Sequence, residues 1–149
     1  SILIVINYIY KLFPIIEDVD RKSFGTFFYC FSLLILISLF WDKDPLALTA
    51  GFFIMTFGDG LAGLIGKNFR SKSWEIFNQK KSLIGTTTMF ITSLLVVFSL
   101  GSINNIDFNY YYFGIALLAT LLEQISIIGI DNFSVPIITS TTFHLLITN

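Results

Sequence analysis

The sequence predicts an all-α, polytopic transmembrane helix bundle of about five to six membrane segments, and three observations lead there. The chain of 149 residues is 54% hydrophobic and only 13% charged. Its mean hydropathy of +0.78 is far too apolar for a soluble domain of this size. Its apolar residues gather in runs close to the ~20 residues a helix needs to cross a bilayer, with short polar connections between them. Those runs show no period-two alternation, and a lipid-embedded sheet would have to close on itself, so strands are not expected.

The elements follow in order. The chain is apolar from its start, Ile2-Leu3-Ile4-Val5-Ile6, with no basic region ahead of it. This reads as the tail of a membrane helix rather than a signal peptide. Residues 1–149 are therefore expected to be a single integral-membrane domain, the C-terminal part of a longer protein, N-terminally truncated. The first partial span ends near Ile16, and Glu17 to Lys22 forms a loop. A second span is expected over about Phe24 to Trp41, closed by Asp42-Lys43-Asp44-Pro45, where proline suits a helix start. A third covers about Leu46 to Gly66, and a loop runs from Lys67 to Lys81. A fourth covers Ser82 to Leu100, a polar turn follows at Ser102 to Asn109, and a fifth covers Tyr110 to Ile128. Gly129-Ile130-Asp131-Asn132 breaks the pattern before a last, short apolar segment from Val135 to Ile147. The run Tyr110-Tyr111-Tyr112 reads as an interfacial aromatic belt. With one cysteine, Cys30, and one histidine, His144, the chain has neither a disulfide framework nor a tetrahedral zinc set. His144, among threonines, reads as a structural hydrogen-bonding residue.

Charge is informative in its distribution. Lys67, Arg70, Lys72, Lys80 and Lys81 share one loop with a single acid, Glu75, which leaves four bases and nine acids for the rest of the chain. By the positive-inside rule that loop should face the cytoplasm, and alternation places Arg21, Lys22 and Asp131 on the same side. Asp59 lies seven residues before Gly66, hence ~10 Å below that membrane face at 1.5 Å per residue. Glu123 falls near the same end of the fifth span. The unusual carboxylates thus converge on the face that carries the basic loop.

Asp59 sits in Phe57-Gly58-Asp59-Gly60-Leu61-Ala62-Gly63-Leu64-Ile65-Gly66. An acid at bilayer depth costs ~2.5–3.5 kcal/mol even on lenient insertion scales, and such residues face a protein interior or a polar cavity. Gly60, Gly63 and Gly66 bare roughly one side of the helix, as a packing seam or as a place where a ligand approaches. Buried acid, bare backbone and the adjacent basic loop suggest a site for a phosphorylated, metal-bound substrate. A nucleotide P-loop is excluded, because Gly66-Lys67 is followed by Asn68 rather than Ser or Thr. Lys80 and Lys81 serve either as topology anchors or as phosphate ligands. For the second role, Lys81-Ser82-Leu83-Ile84-Gly85 sets a lysine and a serine cap at a helix start, where free amides and the helix dipole favour anions. Glu123 and Asp131 lie near an interface, where an acid is tolerated without a function.

At these residues the chain resembles the polyprenol and phytol kinase family, the group of dolichol kinases and CTP-dependent diacylglycerol kinases, related to CDP-diacylglycerol synthases. The matching pieces are Arg21-Lys22-Ser23-Phe24-Gly25, Gly58-Asp59-Gly60-Leu61-Ala62, Lys81-Ser82-Leu83-Ile84-Gly85 with Phe90 behind it, and Glu123 followed by Asp131-Asn132-Phe133-Ser134-Val135-Pro136. Their order is most similar to the phytol kinases of cyanobacteria and plastids, and they span about residues 17 to 147. The family's N-terminal helices have no counterpart here, and Lys67-Asn68-Phe69-Arg70 lacks the glycine pattern of many relatives.

The resemblance implies phosphoryl transfer from a nucleoside triphosphate, CTP, to the hydroxyl of a long isoprenoid alcohol, phytol or another polyprenol, at the membrane face. It implies Mg²⁺ held by Asp59 and Asp131, and phosphate oxygens met by Lys81 and Ser82. Arg70 and Lys80 would add charge neutralisation, and Glu123 would orient metal or substrate hydroxyl. Membrane lipids are the other expected partners, and nucleic acid is not. Two alternatives stand beside this reading. Cytidylyl transfer to phosphatidic acid uses the same nucleotide and metal but attacks the α-phosphate. A transporter or ion-conducting subunit would use Asp59 and Glu123 as a proton or cation relay.

Overall fold

A computed structural model describes residues 24–77, 79–127 and 129–148. The partial first span and the loop at 17–22 lie outside the described residues, as do Arg21 and Lys22. Helix α1 spans Gly25–Phe40 and carries exposed apolar side chains, Phe27, Phe31 and Leu34 among them, on the faces its neighbours leave free. A tight turn leads to Asp44, whose carboxylate accepts the Ala47 amide at 3.0 Å and caps helix α2, Pro45–Phe53. Proline at the first helical position loses no hydrogen bond there.

The chain then continues through a π-helical segment, Ile54–Asp59, into α3, Gly60–Asn68. Together they form one apolar helical run, Pro45–Asn68, of 24 residues. Short π-helical segments inside α-helices recur at functional sites, and this one ends on Asp59.

The basic loop contains an antiparallel hairpin, the one departure from an all-α chain among the described residues. Strands β1, Ser73–Ile76, and β2, Gln79–Ser82, pair Ser73 with Ser82, Trp74 with Lys81, Glu75 with Lys80 and Ile76 with Gln79. The expectation of no strands holds for the apolar runs and fails in this loop, where the two strands lie between spans and their edges do not require lipid burial. Phe77 turns the hairpin with φ 49°, a left-handed conformation that a residue with a Cβ rarely adopts.

Ser82 caps α4, Leu83–Ile103, by accepting the Gly85 amide at 3.2 Å. Helix α5 spans Tyr111–Gln124 and α6 spans Asp131–Phe143, followed by a π-helical turn, His144–Thr148. The segment around Asp131, expected as a break before a helix at 135, is already the first turn of α6. Its carboxylate suits that position because it faces the positive end of the helix dipole.

Helix α4 packs between α3 and α5, while α6 packs against α1, α2 and α5. Buried Leu36, Ile54, Met89, Val97, Ile115 and Val135 fill the centre. Two close crossings depend on glycine. A Cβ on Gly51 would stand 2.3 Å from the Pro136 carbonyl oxygen of α6, and one on Gly85 would stand 3.1 Å from the Ala62 carbonyl oxygen of α3. The first seats α2 on α6, and the second seats α3 on α4. Among the described residues two helical runs are long and apolar enough to cross a membrane, Pro45–Asn68 and Leu83–Ile103, and the shorter Gly25–Phe40 is also apolar.

Candidate active site

The crossing of α3 on α4, the hairpin and the facing ends of α5 and α6 enclose a cavity of about 710 Å³. Its walls hold three carboxylates, Asp59, Glu123 and Asp131, and four cations, Lys67, Arg70, Lys80 and Lys81. Each carboxylate arrives from a different element: Asp59 from the end of the π-helical segment, Glu123 from the last turn of α5, and Asp131 from the first turn of α6. Three acids widely separated in sequence therefore meet at one end of the bundle.

Glu123 is 7% exposed and Asp131 is 8% exposed, so each needs a partner to stay charged. Glu123 has two. Its Oε1 forms a buried ion pair with the Lys81 ammonium, and its Oε2 accepts the Gln124 side-chain amide at 2.7 Å. Lys81 also donates to the Glu123 main-chain carbonyl at 2.8 Å. An ammonium carries three donors, and among the described residues one of them has no partner. Asp131 receives the Asn132 amide on Oδ1 at 3.0 Å, and among the described residues its Oδ2 accepts nothing. Asp59 accepts no hydrogen bond among the described residues, and the charges of Asp131, Glu123 and Lys81 all act on it.

The expected phosphate ligands are sorted by this geometry. Lys81, Lys80, Arg70, Ser82 and Gly63 line the cavity, and Gly60 lies on α3 outside the lining. The start of α4 does not offer the free amides expected of it. Leu83 donates to the Lys72 carbonyl at 2.9 Å, Ile84 to Ser71 Oγ at 3.3 Å, and Gly85 to Ser82 Oγ. What this end of α4 presents to an anion is the helix dipole and the remaining donor of Lys81. Lys72, though part of the basic loop, stands outside the lining.

Two carboxylates with unengaged oxygens fit a magnesium ion. That ion keeps several waters and is held by one or two carboxylates together with substrate phosphates, rather than by a protein cage. Among the described residues no group of three or more His, Cys, Asp or Glu side chains is arranged to hold a metal. Sequence reasoning missed Gln124, Trp74 and Thr86. A second polar residue directly after Glu123, closing an apolar helix, was the available signal.

The architecture and the cavity define a class: an apolar helical protein with a pocket lined by three carboxylates and four cations where its long helices end. Comparison with known proteins narrows it. The chain is 33% identical over 145 residues to a phytol kinase of Synechocystis sp., covering 89% of this chain and 59% of that protein. It is 32% identical over 136 residues to a probable chloroplastic phytol kinase of Triticum aestivum, covering 84% of this chain and 45% of that protein. A probable chloroplastic phytol kinase of Glycine max is 31% identical over 133 residues, covering 82% of this chain. The chain is thus a relative of phytol kinases over most of its own length. It spans 59% of the length of the Synechocystis relative and 45% of the wheat one. No family model matches the chain, and no solved structure does.

Proposed function

We propose that this chain is the catalytic, membrane-embedded part of a lipid kinase that moves the γ-phosphoryl group of CTP to the hydroxyl of phytol or another long isoprenoid alcohol. The products are the alcohol's monophosphate and CDP. The observation that carries this reading is the cavity itself, in which Asp59, Glu123 and Asp131 face Lys67, Arg70, Lys80 and Lys81 at one end of the long apolar helices. Such a transfer requires positioning and neutralisation of the charge spread over phosphate oxygens, and little covalent chemistry from the protein.

In this reading Asp59 and Asp131 hold Mg²⁺, which when bound neutralises phosphate charge. Lys81, fixed by Glu123, spends its remaining donor on a phosphate oxygen, and Arg70 and Lys80 line the route from water. Ser82 acts as the cap that directs α4 at the site. Glu123 serves mainly to hold Lys81, and its charge keeps the ammonium in place between substrates. The alcohol approaches from lipid along α3. A Cβ added at Gly60 or at Gly63 would meet nothing within 4 Å, and Gly63 opens on the cavity. That bare strip, one helical turn long, leaves room for an isoprenoid chain beside exposed Leu61 and Leu64. Helices α5 and α6 are embedded with the two long runs and α1, so the protein is multi-pass. The cavity then opens on the cytoplasmic or stromal face that the basic loop selects.

The test is a membrane assay with CTP labelled at the γ or the α position and a panel of phytol, geranylgeraniol, dolichol, diacylglycerol and phosphatidic acid. Label from the γ position in an isoprenoid monophosphate is the expected result. Retention of α label in a lipid product would replace this reading with cytidylyl transfer.

A further inference from the structure

The hairpin that carries Lys81 is fastened to the rest of the site by one side chain outside the roles assigned above. The Gln124 amide has one acceptor oxygen and two N–H donors, and the structure engages all three. Its Oε1 accepts the Trp74 indole N–H of β1 at 3.2 Å. Its Nε2 donates to Thr86 Oγ1 of α4 at 2.9 Å and to Glu123 Oε2 at 2.7 Å. Trp74 is the ladder partner of Lys81, so the point where Gln124 grips the hairpin lies directly across from the lysine. Glu123, gripped by the same amide, is the residue to which Lys81 is paired. A single side chain therefore fixes both ends of the Lys81–Glu123 ion pair and ties three elements together around the cavity.

We infer that Gln124 is a positioning residue: it holds the hairpin down on α4 and α5 so that Lys81 stands at a fixed place in the cavity. No other residue type of this size supplies the set. Glutamate in its place would keep the Trp74 bond and set a like charge against Glu123, while leucine would leave the indole N–H and one Glu123 oxygen unpaired. Gln124 stands in the cavity wall with its three polar positions turned to Trp74, Thr86 and Glu123, and so acts through Lys81 and Glu123. The inference rests on the reading of Lys81 as a phosphate-binding group, and its test has an arm that does not depend on turnover.

Gln124→Leu and Trp74→Phe are made in the full-length protein, alone and in a Lys81→Gln background, and assayed in membranes. Trp74→Phe is expected to lower kcat/KM for CTP roughly three- to tenfold, the effect of one lost hydrogen bond, and Gln124→Leu, which loses three, by at least that much, with the KM for the alcohol unchanged. In the Lys81→Gln background Gln124→Leu should change kcat/KM by less than about twofold, because both act through the same group. Limited trypsin digestion of the same membranes reads the hairpin directly. Cleavage after Lys72 and Lys80 should accelerate in Gln124→Leu and in Trp74→Phe, whose smaller change keeps the test informative if the leucine variant folds poorly. Equal effects of Gln124→Leu in the two backgrounds, or unchanged cleavage in both variants, would overturn the inference. If wild-type membranes transfer no γ-phosphate to any alcohol, the kinase reading fails, and the digestion alone decides whether Gln124 clamps the hairpin.

Discussion

Among the described residues Asp59 accepts no hydrogen bond, an unusual setting for a carboxylate on an apolar helical run, and its proposed role derives from that setting. Asparagine has nearly the same shape and lacks the charge a divalent cation requires. Asp59→Asn should therefore leave membrane insertion intact and reduce lipid phosphorylation by roughly a hundred- to a thousandfold, the range for removing one preorganised electrostatic group. Protein level in the membrane and γ-label incorporation are the two measurements, and near-normal incorporation would make Asp59 a packing residue. Lys81 poses a different question, whether its charge binds phosphate or only sets topology. Lys81→Gln keeps most of the loop's charge, so orientation should survive while kcat/KM for CTP falls about ten- to a hundredfold, equivalent to ~1.5–3 kcal/mol. Lys72→Gln, in the same loop but outside the cavity lining, is the matched control and should change kcat/KM little. Equal, small losses would reduce the loop to an anchor.

Among the elements, α3 carries glycines in two settings. Gly66 meets Gly85 of α4 and lets the two helices touch, and a Cβ on Gly66 would stand 2.8 Å from Ser82 Oγ. Earlier on α3, Gly60 and Gly63 leave open space. Gly63→Val is accordingly expected to fold and insert normally, yet to raise the KM for the alcohol with little change for CTP, since the new methyl groups occupy the approach from lipid. Gly85→Val should instead loosen the bundle by about 1–3 kcal/mol, the usual result of overpacking, seen as a lower melting temperature in detergent. A rise in nucleotide KM for Gly63→Val would place the lipid route elsewhere. This contrast marks how far the sequence could be read. The helices were legible because long apolar runs mark them, and α1, Pro45–Asn68 and α4 begin and end within a few residues of expectation. The meeting of Asp59, Glu123 and Asp131 in one cavity agrees with the helix ends that the expected alternation of spans would bring together. The hairpin was not, since Ser73–Ile76 and Gln79–Ser82 pair through backbone between two spans and carry little apolar alternation. Nor could charge counting show that Ser71, Lys72 and Ser82 already occupy the first amides of α4, because those contacts are set by how the hairpin folds back.

At the scale of the whole molecule, the end remote from the cavity is held by a second polar cluster. Asp44 at the start of α2 accepts from His144 Nδ1 at 2.7 Å and from the Thr148 hydroxyl, which joins the corner between α1 and α2 to the end of the chain described here. Burial by itself would raise the pKa of Asp44, but the hydrogen bonds from Thr148, the Ala47 amide and His144, with the imidazole's charge, outweigh it and hold the pKa below the ordinary carboxylate value. A carboxylate depressed in the folded state contributes stability that is full above the unfolded value, about 3.9, and fades as pH falls through the lower folded value. Melting of the wild-type protein in detergent should thus steepen in its pH dependence below about pH 4. Asp44→Asn should melt lower at neutral pH and lose that acid-dependent part. An identical pH profile for the two proteins would show that the cluster contributes nothing to holding the α1–α2 corner to the segment after α6. His144, read from sequence as a structural hydrogen-bonding residue, has that position here.

The π-helical segment Ile54–Asp59 has a consequence of phase. An α-helix advances about 100° per residue at 3.6 residues per turn, and a π turn accommodates one residue more than an α turn would. The segment therefore acts as a single-residue insertion that rotates everything after it relative to everything before it. Gly51 upstream is fixed against α6 and Gly66 downstream against α4, so the extra residue lets one continuous helix satisfy both partners while turning Asp59 toward the cavity. Deleting the exposed Thr56 would restore an ordinary helix with the correct composition in the wrong rotation. Such a protein should insert into membranes and lose turnover as completely as Asp59→Asn, with every proposed catalytic side chain still present.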